Sequence, residues 1–522
     1  MVLDIFTKEE IAKEKRFWLR TTKRCNNHCI FCHDSEVQDG SIIDKETLKR
    51  DIKEAFQKGY NRLILSGGEP TIHPDIIELV LFAKICGYDW IQIISNGRMF
   101  AYKKFTESMI NAGLNEVTIS FHSHKREILE SLTDSQDSYR QTIAGIENLK
   151  RHNIVLSIDI VLNRFNIGDL RDTIRFFHEK YGISEFDLLY VTPFGRAFEN
   201  YEMLRVSPIR ERRELRKAIL YAKENGIVIW TNRVPPNILE GNEEYIQDPH
   251  KILDEIYGRS EIFSRFLSSG ILECRHIRRC PYCFVRDFCE FLVDINSRYQ
   301  KRRIDRIEIT SKLSDKIKSR IFDHISYNAT IIATPESLEG IMDEVVDSKR
   351  NVIIKLKQGE EIPDNFSLAN CKSIITEDER YLTFRAKRVL FVITNKNIKY
   401  LQQRYDNVEL IFPNSNSMRT EYEDIPGIDD IKRIIRRYGL KISNLPRCIS
   451  GDLFRDRSYW FRSDFFGEYG LNISAIAEDF LLSRNYHKSL RCKRCIYNAQ
   501  CKGLHINHIR RFGFKILKPI QE

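Results

Sequence analysis

Three cysteines near the start of the 522-residue chain are spaced so that they could hold one metal centre. Residues 24–34 read RCNNHCIFCHD and place Cys25, Cys29 and Cys32 in a C-x3-C-x2-C pattern. Three thiolates on one short loop can each bind one iron of a four-iron cluster, which leaves the fourth iron without a protein ligand. An open coordination position is typical of a reactive metal centre rather than a structural one. A zinc site completed by His28 or His33 is the alternative.

Eight further cysteines form two later groups with a shared spacing. Residues 274–289 read CRHIRRCPYCFVRDFC, a C-x5-C-x2-C-x5-C pattern, and residues 492–501 read CKRCIYNAQC, which repeats the C-x2-C-x5-C half. Cys448, in NLPRC, is the candidate remote fourth ligand of the second group. We predict two auxiliary [4Fe–4S] clusters, each held by four cysteines. The predicted ligands are Cys274, Cys280, Cys283 and Cys289 for the first cluster, and Cys448, Cys492, Cys495 and Cys501 for the second.

A zinc ribbon is the alternative for these two groups. Its four ligands would be Cys280, Cys283, Cys492 and Cys495, in a C-x2-C…C-x2-C arrangement. That arrangement leaves the cysteine after each five-residue spacer without a role, so we favour the clusters.

The elements that position the first cysteine loop alternate between strands and helices from residue 14 to about 195. Six strands are predicted, at Phe17–Thr21, Arg62–Leu65, Trp90–Ile94, Val117–Ser120, Val155–Val161 and Asp187–Val191. Between the first two, Asp44 is the predicted N-cap of a helix and Gly59 its C-terminal glycine. Six units of strand and helix predict a parallel sheet with right-handed crossovers. They are too few for an eight-fold barrel, so we expect an α/β fold with a partial (βα)6 TIM-like barrel.

Chemistry in such folds lies at the carboxyl ends of the strands, and the candidate residues fall there. The cysteine loop follows the first predicted strand, SGGEP at 66–70 follows the second, and SNG at 95–97 follows the third. Pro193 and Gly195 follow the sixth. Because these ends meet at one edge of the sheet, we expect the loops to form one site.

The cysteine loop and SGGEP together resemble the radical S-adenosylmethionine (SAM) superfamily. The resemblance implies a catalytic [4Fe–4S] cluster whose open iron is chelated by the amino and carboxylate groups of SAM. It also implies reductive cleavage of SAM to a 5′-deoxyadenosyl radical, which abstracts hydrogen from a substrate. In this chain Gly67 and Gly68 would allow close backbone approach, Glu69 would receive the methionine ammonium, and the backbone of Phe31 would meet adenine.

Four further positions match weaker elements of the family. Ser95 and Asn96 resemble its third-strand element near the cofactor, Ser120 its fourth-strand contact to the methionine carboxylate or ribose, and Asn163 its fifth-strand ribose contact. Each of the four could equally cap the end of its strand. His122 and His124 lie at the same rim and could face a substrate.

The two later cysteine groups resemble the auxiliary-cluster segments of SPASM and twitch domains. Those domains follow the radical SAM core in many peptide-modifying enzymes, so the resemblance favours a peptide or protein side chain as the substrate, for oxidation, cross-linking or maturation. It also implies an electron donor such as flavodoxin or ferredoxin. An RNA- or nucleoside-modifying radical SAM enzyme and a non-catalytic iron–sulfur maturation partner are the alternatives.

Charge is concentrated near the C-terminal end of the chain, whose formal net charge is +10. Ten Lys or Arg residues and no acidic residue lie between Arg484 and Lys518, whereas basic and acidic residues nearly balance elsewhere. Cations near a four-thiolate cluster compensate its negative charge. The same segment would also suit nucleic acid, which we consider possible but do not favour. Its interleaved ring residues are Tyr497, His505, His508 and Phe512.

The remaining sequence signals concern location and domain organisation. MVLDIFTKEEIAKEK lacks the apolar core of a signal peptide, and no apolar run approaches the ~18 residues of a membrane span. We therefore expect a cytoplasmic protein that does not bind a membrane, with cysteines used as metal ligands rather than disulfides. The predicted domains are a core at 14–225, auxiliary iron–sulfur segments at 226–295 and 438–522, and an intervening α/β region of unassigned role at 296–437.

Overall fold

The computed structural model describes residues 4–346, 350–364, 366, 371–385, 387–456 and 459–521, which divide into two compact units. The first unit contains the residues up to Asp248 together with His276–Phe284. The second contains Pro249–Arg275 and the chain from Val285 onward. The segments 296–437 and 438–522, which the sequence analysis separates, belong to the same unit.

A seven-stranded parallel sheet, with its strands in chain order, forms the centre of the first unit. The strands are β1 Arg16–Thr22, β2 Arg62–Gly67, β3 Trp90–Ser95, β4 Glu116–Ser120, β5 Val155–Leu162, β6 Glu185–Tyr190 and β7 Val228–Asn232. The helices are α1 Ile5–Lys13, α2 Lys45–Gln57, α3 Ile76–Cys86, α4 Lys103–Asn111, α5 Arg126–Thr133, α6 Ser138–Leu149, α7 Leu170–Tyr181, α8 Arg196–Glu199, α9 Tyr201–Leu204 and α10 Pro208–Glu224. The predicted α/β core with a partial TIM-like barrel is confirmed.

The sheet has one strand more than the sequence analysis predicts. Strand β7 pairs in parallel with β6 after the long helix α10. Its five residues alternate between buried and half-buried positions, a pattern too short to assign from the sequence alone. The core sheet therefore extends beyond the predicted domain end at residue 225.

Helix α2 begins and ends where its sequence predicts. The Asp44 carboxylate accepts a hydrogen bond from the Thr47 backbone N–H at 3.0 Å, which caps the first turn. Leu48 and Ile52 are fully buried on one face, and Gly59 follows the last turn with φ of +84°. Because the helix begins and ends at these residues, the chain returns to the sheet and β2 pairs with β1. The loops that follow the two strands are therefore neighbours.

A second parallel sheet of nine strands dominates the second unit. Its strands are β8 Ile304–Ile309, β9 Ile325–Ala333, β10 Asn351–Leu356, β11 Cys371–Thr376, β12 Arg388–Val392, β13 Val408–Ile411, β14 Ile442–Ser443, β15 Phe454–Arg455 and β16 Phe461–Arg462. The unit's helices are α11 Lys251–Tyr257, α12 Ser260–Ser269, α13 Arg286–Gln300, α14 Asp315–His324, α15 Pro335–Glu339, α16 Met342–Val346, α17 Met418–Glu423, α18 Ile428–Tyr438, α19 Arg447–Ser450, α20 Ile473–Ser483 and α21 Ile506–Phe512.

The connection between β15 and β16 shows that this sheet is strongly curved. β15 lies at one edge of the sheet and β16 at the other, beside β8. Nine flat strands would hold their edges about 38 Å apart at ~4.8 Å per strand. The chain from Arg455 to Phe461 can span only about 20 Å even when extended. The sheet therefore curls toward a barrel. A buried cluster on its strands consists of Ile332, Ile353, Ile375 and Ile411.

The last cysteine group lies in a small hairpin of the second unit. Strands β17 Tyr486–His487 and β18 Leu504–His505 pair in antiparallel fashion, and the cysteines at 492–501 lie in the connection between them. Gly503 has φ of +91°, and a Cβ there would lie 2.1 Å from the His487 carbonyl oxygen. Only glycine permits this close pairing.

Across the described residues, the structure contains no helix with the length and apolar character of a membrane span.

Candidate active site

The three-cysteine loop follows β1 and is fixed by backbone hydrogen bonds to the end of helix α5. The His28 N–H donates to the Thr133 carbonyl and the Ile30 N–H to the Leu132 carbonyl, both at 3.0 Å. Cys25, Cys29 and Cys32 are all half-buried. The loop that carries the predicted metal ligands is therefore held to the first unit by its main chain.

The three thiols interact electrostatically with one another. Burial raises the pKa of Cys25 to about 11 and also raises that of Cys32. The pKa of Cys29 is raised by burial and then by the neighbouring Cys25 and Cys32. Without a bound cation the thiols are therefore protonated at neutral pH, so metal binding would release protons.

The SGGEP turn packs directly on the cysteine loop. The Gly68 N–H donates to the Thr22 carbonyl and the Glu69 N–H to the Arg24 carbonyl, both at 2.8 Å. A Cβ on Gly68 would lie 2.1 Å from the Arg24 oxygen, and a Cβ on Gly67, where φ is +135°, would lie 2.4 Å from the Thr22 oxygen. The close approach that the two glycines allow is thus an approach of the two loops to each other.

The Glu69 carboxylate connects two of the strand-end loops, those that follow β2 and β3. Glu69 is 1% exposed. Oε1 accepts hydrogen bonds from the Thr71 N–H at 3.0 Å, from the Thr71 hydroxyl and from the Ser95 hydroxyl at 2.7 Å. Oε2 accepts one, from the Asn96 N–H at 2.7 Å. Burial raises the pKa of Glu69, although these donors oppose the rise. Oε2 accepts one hydrogen bond where Oε1 accepts three, so Oε2 keeps a position for a further donor.

The SNG turn after β3 is joined to the cysteine loop by side chains. The Asn96 amide donates to the Asn26 side-chain oxygen at 2.6 Å. Arg98 donates to the Asn26 carbonyl and to the Asn27 side-chain oxygen at 2.7 Å, and reaches Ser135 at 2.9 Å. The sequence analysis did not select Arg98, although it directly follows the SNG turn.

Phe31 and His122 pack against each other beside the cysteine loop. Their rings meet edge to face with centroids 4.5 Å apart, and both residues are buried. His122 Nδ1 accepts a hydrogen bond from the Val161 N–H at 3.2 Å. Burial lowers the pKa of His122 to about 3, so the imidazole is neutral at physiological pH. His122 therefore positions Phe31 as a neutral ring.

The other predicted strand-end residues differ in how firmly their side chains are held. Ser120, at the end of β4, is half-buried. Asn163 is fully buried: its amide donates to the Val161 carbonyl at 2.9 Å and its oxygen accepts from the Phe165 N–H at 3.0 Å. His124 is hydrogen-bonded to the Thr173 hydroxyl at 2.9 Å. Asn163 thus caps its strand end, and its cofactor contact stays a prediction.

Arg196 is a second site residue, besides Arg98, that the sequence analysis missed. It begins α8, directly after Gly195, and its Nε donates to the Cys29 carbonyl at 3.0 Å. Its positive charge lowers the pKa of all three loop thiols, in opposition to burial. A Cβ on Gly195 would lie 2.8 Å from the Cys32 carbonyl oxygen. The position of TPFGR after the sixth strand was the available signal.

Part of the first auxiliary cysteine group packs on these helices. The loop with Cys280 and Cys283 belongs to the first unit, where Tyr282 contacts Tyr201 of α9 with ring centroids 4.6 Å apart. Arg279 forms an ion pair with Glu36 at 3.5 Å and lies 4.6 Å from the centre of the Phe194 ring. The predicted partners Cys274 and Cys289 belong to the second unit, and the proposed four-cysteine ligand set stays a prediction.

The second auxiliary group lies wholly in the second unit. Burial raises the pKa of Cys448 to about 11, and the thiols of Cys501, Cys492 and Cys495 raise it further. The remote cysteine thus lies within electrostatic range of the other three.

In the described part of the chain, no three His, Cys, Asp or Glu side chains are grouped closely enough to hold a single metal ion.

Comparison with known proteins identifies the first unit. Residues 19–177 match the Radical SAM superfamily family model. The "Probable GTP 3′,8-cyclase" of Saccharolobus islandicus (strain M.14.25 / Kamchatka #1) is 29% identical over 221 residues, which cover 40% of this chain and 70% of that relative. The protein of the same name from Saccharolobus solfataricus is 31% identical over 189 residues, which cover 35% of this chain and 60% of the relative.

Two solved structures match parts of this chain at low similarity. Streptococcus suis SuiB bound to precursor peptide SuiA has a TM-score of 0.37 and 14% identity over 45% of this chain and 52% of its own. Native anSMEcpe with bound AdoMet and Cp18Cys peptide has a TM-score of 0.34 and 16% identity over 41% of this chain and 62% of its own. The chain spans between half and two thirds of the length of these structures.

The cysteine loop, the two strand-end turns joined through Glu69 and the match over residues 19–177 define a radical SAM domain in this chain, which is an enzyme. Enzymes of this family use a [4Fe–4S] cluster and SAM.

Proposed function

We propose that this enzyme cleaves SAM reductively at the carboxyl ends of β1–β4 and abstracts hydrogen from a peptide or protein side chain. The observation that carries the cofactor part is the position of Glu69, whose buried carboxylate joins the turns after β2 and β3 and keeps one acceptor position open. Its charge also raises the pKa of Cys25, so the carboxylate lies near the cysteine loop.

The residues of the loop fit the proposed cluster. Cys25, Cys29 and Cys32 are sulfur donors within electrostatic range of one another, and Arg196 supplies a compensating cation. When bound, the cluster and SAM supply a 5′-deoxyadenosyl radical by reductive cleavage of the sulfonium. The protein's own task is to hold the three thiolates, to present Glu69 Oε2 to the methionine ammonium and to keep the Phe31 backbone beside the adenine.

His122 and Arg98 support this arrangement. His122 stays neutral because it is buried, and it holds the Phe31 ring edge to face. Arg98 joins the SNG turn to the cysteine loop through Asn26 and Asn27. Ser120, half-buried at the end of β4, is the proposed contact to the methionine carboxylate or ribose.

The peptide substrate is proposed from the two later cysteine groups, which have the spacing of auxiliary-cluster segments in peptide-modifying enzymes. Two auxiliary [4Fe–4S] clusters, on Cys274, Cys280, Cys283 and Cys289 and on Cys448, Cys492, Cys495 and Cys501, could carry an electron away from an oxidised substrate. The Cys448 thiol, which interacts with three other thiols, supports the second set. Flavodoxin or ferredoxin is the proposed donor of the electron for SAM cleavage.

A purine nucleotide is the second candidate substrate. The relatives that match 40% and 35% of this chain are each named "Probable GTP 3′,8-cyclase". Recognition of RNA through the basic C-terminal segment has less support. His505 and His508 are fully buried, and Arg511 donates to the Ile425 carbonyl at 2.7 Å, so these residues are used inside the second unit.

Anaerobic turnover decides between these substrates. The full chain, reconstituted with iron and sulfide, is reduced and incubated with SAM and either deuterium-labelled peptide pools or deuterium-labelled GTP. Deuterium in 5′-deoxyadenosine from the peptide pool supports the proposal, whereas transfer only from GTP replaces the peptide by the nucleotide. Cys29→Ala should abolish 5′-deoxyadenosine formation, and Cys86→Ala, at the end of α3, should not. Equal SAM cleavage by Cys29→Ala and the wild type would refute the assigned cluster site.

A further inference from the structure

A large cavity opens at the carboxyl ends of the strands in the second unit. Its volume is about 680 Å³, within the range of pockets for small organic ligands. Ile332, Ile375 and Ile411 of the buried isoleucine cluster form its apolar floor. The carboxyl ends of parallel strands are where α/β folds place ligand sites. The cavity belongs to the second unit, and its lining residues are distinct from the cysteine loop of the first unit.

The lining of this cavity carries an excess of positive charge. Among the residues that the structure describes, six basic and three acidic side chains line it: Lys355, Arg447, Arg455, Arg462, Arg484 and Lys502 against Glu308, Asp456 and Asp479. Several of these pair, as Lys355 does with Glu308 at 2.6 Å and Arg462 does with Asp479 at 3.7 Å. Among the residues the structure describes, Arg447, Arg484 and Lys502 have no carboxylate within ion-pairing distance. Three cations thus face the cavity without an anionic partner.

Arg484 is the most constrained of the three. Its guanidinium lies 3.8 Å from the centre of the Tyr459 ring, and its buried Nε has no hydrogen-bond partner in the described part of the chain. Lys502 lines the same cavity, so the site holds two like charges. An unpaired buried donor beside a second cation is costly unless an acceptor satisfies it. An anion in the cavity would accept a hydrogen bond from Arg484 and would reduce the repulsion between the two cations.

Aromatic side chains also line the cavity. They are Phe454, Tyr459, Trp460, Tyr486 and Tyr497. Trp460 packs against the isoleucine cluster, and Arg447 lies 5.0 Å from the Phe454 ring centre and 5.1 Å from that of Tyr497. The aromatic rings and aliphatic side chains favour a ligand with a planar apolar ring, whereas the guanidinium and ammonium groups favour a ligand with a negative charge.

We propose that the second unit binds a small organic anion that carries a flat ring, with the ring on the isoleucine floor and the phosphate or carboxylate at Arg447, Arg484 and Lys502. Cys501, a proposed ligand of the second auxiliary cluster, lies in the same wall. The ligand therefore binds next to that cysteine group, in a site additional to the one proposed for SAM cleavage.

Calorimetric titration of the full, anaerobically reconstituted chain tests this proposal with three probes that share one ring system. The probes are 2-naphthyl phosphate, 2-naphthoate and the uncharged 2-naphthalenemethanol. We expect one of the two anions to bind with a stoichiometry of one and at least about tenfold more tightly than the alcohol, because a charge-assisted hydrogen bond is lost with the charge. The comparison of the two anions distinguishes a phosphate ligand from a carboxylate ligand.

Variants locate the binding to the cavity. Lys502→Gln and Arg484→Gln should each weaken binding of the tighter anion about tenfold. Arg404→Gln removes an exposed cation of the same unit, paired with Asp406 at 3.1 Å, and should bind like the wild type. Lys502 is exposed at the cavity, so its substitution tests the site even if Arg484→Gln does not fold. Equal binding of the anions and the alcohol, or unchanged binding by Lys502→Gln, overturns the proposal.

Discussion

Substitution of Glu211 by Gln should change how the stability of the first unit depends on pH. Glu211 lies on α10, is 1% exposed, and its Oε2 has no hydrogen-bond partner among the described residues. Burial raises the pKa of Glu211 from 4.5 to about 8. Between these values the native state binds one proton more than the unfolded state, so the free energy of unfolding falls as pH rises through that window.

The magnitude follows from the size of the shift. One pH unit corresponds to about 1.4 kcal/mol, so the wild type loses about 5 kcal/mol across the window and about 3 kcal/mol of it by pH 7. Glu211→Gln keeps the shape of the side chain and removes its titration. The free energy of unfolding of the variant minus that of the wild type should therefore be about 3 kcal/mol larger at pH 7 than at pH 4.

Urea unfolding followed by tryptophan fluorescence measures this difference, since Trp18, Trp90 and Trp230 all lie in the first unit. Glu214→Gln on the same helix is the control. Burial raises the pKa of Glu214, but hydrogen bonds from Lys217 and Arg213 outweigh it and lower the pKa overall, so Glu214 titrates below the window. If Glu211→Gln keeps the wild-type slope between pH 5 and pH 8, the reasoning from its burial is wrong.

Three further predictions concern the loops and clusters. Gly68→Ala places a Cβ 2.1 Å from the Arg24 carbonyl and should lower the free energy of unfolding by about 1–3 kcal/mol and abolish 5′-deoxyadenosine formation. Gly470→Ala, where a Cβ meets nothing within 4 Å, should match the wild type in both assays. Arg196→Gln removes the cation beside the three thiols and should slow SAM cleavage about tenfold, or ~1.4 kcal/mol, with a more negative cluster potential by anaerobic redox titration. Cys448→Ser should lower iron per chain by about four atoms and leave SAM cleavage detectable.

Each of these three has an outcome that contradicts it. Wild-type stability and activity of Gly68→Ala would show that the two loops do not need their close approach. An unchanged cluster potential in Arg196→Gln would remove the electrostatic role of that guanidinium. Full iron content in Cys448→Ser would exclude Cys448 as a ligand, and zinc bound through Cys492 and Cys495 would favour the ribbon alternative.

Much of the core could be predicted because its signals are local in the sequence. The spacing of Cys25, Cys29 and Cys32, the Asp44 cap and the order of strands and helices each depend on residues a few positions apart. The glycines of SGGEP were expected to permit close backbone approach, and the structure shows that the approach is between the turn and the cysteine loop. Strand β7 was missed because five residues carry too little pattern.

The sequence by itself determined which residues can do chemistry, since thiol spacing and strand-end position are properties of short segments. Only the tertiary structure decided which residues from distant parts of the sequence contact or interact with these reactive groups. Arg196 reaches the Cys29 carbonyl across 167 positions of the chain, and Cys448 comes within electrostatic range of Cys501. The curvature of the second sheet and its cationic cavity likewise depend on pairing between strands far apart in sequence. Such contacts arise from packing, which no local pattern encodes.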